Sequence, residues 1–330
     1  MKKIGIGISC LLFFLLFVGN AVAASKVLVL VPSSEEKVKN IGTYLPLFEG
    51  LEESLKTENI KPEYMFTDLE DQPTDAAKVV YAAGVISKIK AKKPDVVVSL
   101  ADASVKYVAS RIDSIPCIFA YVYGSLESIG LPKPNVTGVA RRSYAPDIWG
   151  LAHKLFGART VAMLSKNSVS MAGIKKVLMS KADGLEKLSG VRLLDMYLVD
   201  TFAEWQDQVN NFSADFIYTA DPSRLVKKDG TQLTRAEAIK WTVDNSKVPV
   251  VAATGEDVEA GALYTILTSE KEWGKQTGMM VLKYLGGTPI DKLPVETVKK
   301  GALIINGKTA VKYKIDFPYE ILSAAEKVIE

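Results

Sequence analysis

The sequence predicts an α/β protein made of two doubly wound parallel-sheet lobes. Three observations predict it. Apolar, β-branched runs such as Lys26–Val31 and Asp95–Leu100 read as strands buried on both faces. Such runs are followed by stretches with apolar residues at helical spacing. The alternation runs once through the first part of the chain and starts again near Asn135, in comparable order and size.

The first series opens with Lys26–Val31, stopped by Pro32. A helix over Thr43–Lys56 follows, with Leu47, Leu51 and Leu55 four apart. Glu63–Thr67 is a strand. Asp75–Lys92 is a helix whose apolar face carries Val79, Val80, Ala83, Ile86 and Ile89. Asp95–Leu100 is a strand, Ala103–Arg111 a helix and Pro116–Val122 a strand. Asn135–Val139 links to the second series. There, Pro146–Phe156 is a helix with proline in its first turn. Thr160–Leu164 is a strand and Ala172–Leu188 a helix. Leu193–Val199 is a strand, Phe202–Asn211 a helix, Phe216–Thr219 a strand, Thr234–Asn245 a helix and Pro249–Ala253 a strand. Ala262–Leu267 is extended, and Glu270–Leu285 is a long helix ended by Gly286-Gly287. Leu303–Asn306 is a last strand and Tyr319–Ile329 a closing helix.

The N-terminus points to export. Lys2 and Lys3 precede an apolar run from Ile4 to Val18, and Ala21-Val22-Ala23 has the small-x-small form of a cleavage site. The mature chain is expected to begin at Ala24 in a periplasm. Retention of Ile4–Ala24 as an anchor is the alternative. The rest of the 330 residues is enough for two domains. A formal net charge of +3, two lysines of which lie in the leader, gives no polybasic surface for nucleic acid. Of the two cysteines, Cys10 lies inside the leader, where the apolar run continues past it, so it is not read as a lipid attachment site. Cys117 is alone in the mature chain, so no internal disulfide is available. It reads as a buried strand residue.

Catalytic patterns are missing. The one histidine, His153, stands in a helix with no Cys or His at ligand spacing, so no metal site is expected. No G-x-S-x-G elbow or phosphate loop is present. The pair Glu256-Asp257 reads as a solvated loop. No cofactor and no enzymatic activity are expected, although two distant carboxylates could still meet in space.

In open parallel sheets, ligands sit beyond the carboxyl ends of the strands. That rule selects Ser33 and Ser34 after the first strand. It selects Ser99, Asp102, Ala103 and Ser104 where the third strand meets a helix, a start suited to a carboxylate. Asp102 has a second reading as a helix cap. Tyr121 and Tyr123 follow the next strand and could stack on a ligand, one of them pointing into the core by alternation. In the second series the matching positions are Asn167, Asp221 and Thr254.

Ordered short motifs carry a resemblance. Lys93-Pro-Asp-Val-Val-Val98, Ile115-Pro-Cys-Ile-Phe-Ala120 and Asn135-Val-Thr-Gly-Val139 come in sequence. Ala214-Asp-Phe-Ile-Tyr218, Val248-Pro-Val-Val-Ala252, Gly261-Ala-Leu263, Pro294-Val-Glu-Thr297 and Leu303-Ile-Ile-Asn306 follow. Over essentially the whole mature chain this resembles the periplasmic substrate-binding components of ABC transporters, in the group that includes aromatic amino-acid-binding members. The resemblance implies the type I periplasmic-binding fold, with three crossings and a ligand cleft between the lobes. It divides the chain into a leader at 1–23, lobe one at 26–139 plus 262–290, and lobe two at 140–261 plus 291–330. The implied function is capture of a small molecule, with an amino acid or small carboxylate favoured, and delivery by a monomer to a membrane permease. A sensor presenting its ligand to a kinase is the alternative on the same fold, and an exported enzyme on that scaffold is a third reading. Two positions depart from the family. Tyr123-Gly124-Ser125 stands where a Thr-Asp-Pro-like turn is frequent, and Thr254 where an acid is frequent, so ligand identity does not transfer from relatives.

Overall fold

The structure, a computed structural model, describes residues 25–41 and 44–330. The expected leader and the expected helix start at Thr43 lie outside these residues. The first series runs β1 (Val27–Val31), α1 (Glu35–Ile41), α2 (Tyr44–Leu55), β2 (Glu63–Phe66), α3 (Asp75–Lys92), β3 (Val96–Leu100), α4 (Ala101–Tyr107), β4 (Cys117–Ala120) and β5 (Val136–Ala140). The second runs α5 (Ala145–Phe156), β6 (Thr160–Lys166), α6 (Val169–Ser180), α7 (Ala182–Ser189), β7 (Arg192–Val199), α8 (Phe202–Asn211), β8 (Phe216–Thr219), α9 (Arg235–Asn245), β9 (Val250–Ala252) and α10 (Gly255–Glu259). The chain ends with β10 (Tyr264–Thr268), α11 (Glu270–Leu285), β11 (Glu296–Thr297), β12 (Gly301–Asn306), α12 (Gly307–Tyr313), α13 (Tyr319–Ala324) and β13 (Lys327–Ile329).

Lobe one is built on a parallel six-stranded sheet in the order β11-β5-β4-β3-β1-β2. Both faces are covered, and the pleat divides β1 between them. Val27, Val29 and Val31 join the core under α2 and α11, while Leu28 and Leu30 join the core under α3 and α4. Lobe two carries the parallel sheet β7-β6-β8-β9, joined by β10-β12-β13, in which β10 and β12 are antiparallel. Helix starts are capped as their sequences suggest. Thr74 caps α3, and Thr201 and Thr234 form capping boxes with Glu204 and Glu237.

The helices α2 and α11 cross at glycine contacts. A Cβ on Gly50 would lie 1.9 Å from the Lys271 carbonyl oxygen, and one on Gly274 would lie 2.0 Å from that of Leu47. Only a residue without a side chain allows backbones this close.

Several elements differ from the sequence expectation. Tyr319–Ile329 is a short helix and then β13, which pairs with β12. The stretch expected as one helix to Leu188 is two helices that break at Lys181. The lobe limits also differ. Residues 264–268, expected in lobe one, pair with β12 and bury Tyr264 in the lobe-two core. Residues 296–297, expected in lobe two, pair with β5 of lobe one. Cys117 is buried, and burial pushes its thiol up to about 12. His153 is tied structurally, its Nδ1 bonded to the Ala158 carbonyl at 2.8 Å.

Candidate functional site

The carboxyl ends of β4 and β8 face one another across a cavity of about 620 Å³, within the usual range for small-molecule sites. Its walls come from three sources. The loop after β4 gives Val122 to Glu127. The first crossing gives Ala140 to Ala145. Lobe two gives Ile148, Tyr218, Ala253 and, on β10, Ile266 to Thr268. A second hollow of about 380 Å³ opens beside α4, lined by Tyr44, Glu70, Lys78, Ala101–Ala103, Lys106, Tyr107, Tyr121 and Tyr123. Tyr123 lines both hollows.

The expected lobe-one residues divide into two groups. Asp102, Ala103, Tyr121 and Tyr123 gather at the hollow beside α4. The second reading of Asp102, as a helix cap, does not apply, because Leu100 occupies the cap position. Its carboxylate instead accepts the backbone N–H of Tyr123 at 3.0 Å and of Gly124 at 2.7 Å. Tyr121 is buried in a left-handed conformation with φ +60°, and its ring lies 5.0 Å from Tyr44, 5.1 Å from Tyr123 and 5.5 Å from Trp273. Ser33 is near this group and donates its hydroxyl to Glu70. Ser34 accepts the Lys37 N–H at 3.4 Å at the start of α1. Ser99 and Ser104 differ from expectation. Both are buried, neither lines a hollow, and neither hydroxyl has a hydrogen-bond partner among the described residues. Ser99 sits within the fully buried strand β3 and Ser104 points inward from α4, so the packing that forms the core takes both from the ligand surface.

In lobe two, Asp221 and Thr254 meet at Arg235. The Arg235 guanidinium donates to both oxygens of Asp257, at 2.8 and 2.9 Å, and to Asp221 at 3.1 Å. Thr254 caps α10 by accepting the Asp257 N–H at 3.3 Å. Asp257 was expected in a solvated loop but is fully buried. Burial raises its carboxyl above the ordinary range, and Arg235 works against that rise. Asn167 lies exposed at the end of β6, where its backbone N–H donates to Val199, and it lines neither hollow.

Sequence reasoning missed the first crossing. Arg141 places its guanidinium 5.0 Å from the centre of the Tyr123 ring, and Arg142 lies 4.5 Å from that of Tyr144. Arg142 also pairs with Asp147 at 2.7 Å. Tyr144 donates to the Lys300 carbonyl at 2.9 Å, which ties the first crossing to the third. Two adjacent arginines directly after a buried strand were the available signal. Glu270, half-buried at the start of α11, has its carboxyl raised by burial. Chemically the cavity offers the guanidinium of Arg141, that of Arg142 paired with Asp147, the Glu127 carboxylate at the β4 loop, three tyrosines and small polar groups. That set suits reversible binding of an anion-bearing organic solute. Among the described residues no group of three His, Cys, Asp or Glu is placed to hold a metal ion.

Comparison with solved structures shows the fold. A domain from Streptococcus pneumonia in complex with L-Trp matches with a TM-score of 0.52 at 21% identity, covering 93% of this chain and 100% of that one. A ligand-free, open substrate-binding protein with adhesive properties from Clostridium difficile matches with a TM-score of 0.65 at 18% identity, covering 93% and 99%. A periplasmic ribose ABC transporter protein from Conexibacter woesei matches with a TM-score of 0.52 at 16% identity, covering 87% and 94%. These likenesses identify the type I periplasmic-binding-protein fold. A comparison with the curated proteins finds no match. The family model for ABC transporter substrate binding proteins matches residues 42–329, so this chain belongs to the family of ABC transporter substrate-binding proteins.

Proposed function

We propose that the protein is an exported receptor that takes a small carboxylate-bearing solute, an amino acid by preference, between its lobes and hands it to the permease of an ABC importer. The observation that carries this reading is the cavity of about 620 Å³ walled from both lobes, with Arg141 set over Tyr123 at the crossing. The guanidinium suits a carboxylate, and the rings of Tyr123, Tyr144 and Tyr218 suit an apolar or planar body. In this reading Tyr123 from lobe one, Arg141 from the crossing and Tyr144 and Tyr218 meet the solute; Asp102, Ala103 and Tyr121 line the adjoining hollow beside α4, Ser33 holds Glu70 at that hollow, and Asp221 and Thr254 support lobe two through Arg235. Closure of the lobes about the crossings buries the solute and gives the permease a closed form to recognise. Export rests on Lys2 to Ala23.

Thermal unfolding of the mature chain, read against the twenty amino acids and a set of small carboxylates, tests the reading. A solute at a hundredfold excess over its Kd adds about 2.7 kcal/mol of stability. Stabilisation by at least one carboxylate, abolished when its carboxyl is amidated, is the expected result. No shift with any of them, or an unchanged shift after amidation, would overturn the choice of ligand class.

A further inference from the structure

We propose that Asp102 is a positioning residue for ligand capture. It fixes the turn at Tyr123 and Gly124 so that the Tyr123 ring forms the wall shared by the two hollows. The inference rests on the binding reading above.

Four observations carry it. Both oxygens of Asp102 are engaged by the turn, one by each backbone N–H, at 3.0 and 2.7 Å. These are charge-assisted bonds, stronger than their neutral counterparts. They join the start of α4 to a segment 21 and 22 residues further on, so they tether two neighbouring strand ends. Second, Gly124 keeps the approach open. A Cβ there would stand 2.6 Å from Asp102 Oδ1 and 3.3 Å from Ser128 Oγ. Third, the turn is entered through Tyr121 at φ +60°, a conformation that side-chain-bearing residues adopt only when the surroundings hold them there. Fourth, Tyr123 is 48% exposed as a residue, yet its ring is bounded on three sides, by Arg141 at 5.0 Å, Tyr121 at 5.1 Å and Trp273 at 6.0 Å. Beyond Gly124 the loop is held locally, by bonds from Ser128 back to Ser125. Release of the Asp102 tether therefore frees the ring of Tyr123 before it disturbs either core.

The test has two arms. In the ligand-free protein, amide hydrogen exchange at Tyr123 and Gly124 is measured by NMR for the natural chain, Asp102→Ala and Asp102→Asn. The loss of two charge-assisted bonds in Asp102→Ala should speed exchange at both amides about tenfold or more. Asp102→Asn, which keeps one acceptor oxygen, should fall between. Exchange unchanged in Asp102→Ala overturns the tether. The second arm is a double-mutant cycle read by calorimetry with L-tryptophan and with L-leucine as probes. Asp102→Ala should weaken the better-bound probe about tenfold, and should have less than about a threefold effect once Tyr123→Ala is present. An equal effect in both backgrounds would make Asp102 a direct ligand contact and refute positioning. A merely structural role would lower the unfolding temperature without producing this coupling. Failure of the natural chain to bind either probe, or any solute in the thermal screen, counts against the binding reading. The exchange arm still decides whether Asp102 holds the turn.

Discussion

Replacing Gly274 by alanine should separate the two helices that close one face of lobe one. The Cβ of alanine would lie 2.0 Å from the Leu47 carbonyl oxygen and 2.9 Å from the Leu51 nitrogen. Both are backbone atoms, so no side chain can swing aside. Relief needs the helices α2 and α11 to part by roughly 1 Å, which forfeits about half of the contact energy between them. Six large side chains, Leu47, Leu51, Leu55, Trp273, Met280 and Val281, are buried in that core. At about 2 kcal/mol each they contribute about 12 kcal/mol, so the loss is about 6 kcal/mol. Alanine's better helix propensity offsets about 1 kcal/mol, leaving a net destabilisation of about 5 kcal/mol. Gly84→Ala is the internal control. It makes the same exchange inside α3, where an added Cβ meets nothing within 4 Å, and should stabilise by about 0.5 to 1 kcal/mol. Urea unfolding of both variants, followed by circular dichroism, gives the two shifts in midpoint. Shifts of the same sign and similar size would refute the close-crossing argument.

Two other substitutions follow from the buried polar groups. Arg235→Ala leaves the fully buried Asp257 carboxylate without its bidentate partner and should cost about 3 to 5 kcal/mol in urea unfolding, whereas Arg235→Lys should recover only part of that. Ser104→Ala removes a buried hydroxyl that has no partner among the described residues. It should leave the unfolding temperature level or slightly raised and solute affinity within about twofold of the natural chain, and a larger loss of affinity would return Ser104 to the site.

Most of the fold was legible because the strands of a parallel sheet announce themselves. Val96, Val97 and Val98 are all fully buried, and the one polar residue of β3, Ser99, is buried with them. Residues 319–329 were less legible. Ile321 and Val328 are spaced as a helix would space them, and pairing with β12, which lies more than twenty residues away, decides the local structure of the last three residues of that stretch. The lobe assignment of residues 264–268 depends in the same way on a ladder to residues 301–306. The site was legible only as strand ends. That rule found Asp102, Tyr121 and Tyr123, but it could not separate Ser99 and Ser104, which the core engulfs, from residues at the surface. The same rule reaches Arg141, which directly follows β5, but Asn135–Val139 reads as a linking strand in the sequence and its end was passed over. Nor could spacing show that Arg235 reaches Asp257, because that pair exists only once α9 and α10 have docked.

The close crossing of α2 and α11 also sets an order of assembly. Ser54 in α2 finds its partner, the Lys275 carbonyl, 221 residues further along the chain. The lobe that is synthesised first therefore has one face of its sheet covered only by α1 and α2 until α11 is complete at residue 285, and its edge strand β11 comes later still. Lobe two can gather the four strands β6 to β9 from one unbroken stretch, Thr160 to Ala252, but its core also takes Tyr264, Ile305, Ala310 and Ile315 from the end of the chain. Both lobes therefore wait on the last third of the chain, lobe one for α11 and β11 and lobe two for β12 and β13, so each holds an apolar surface open until synthesis is nearly complete.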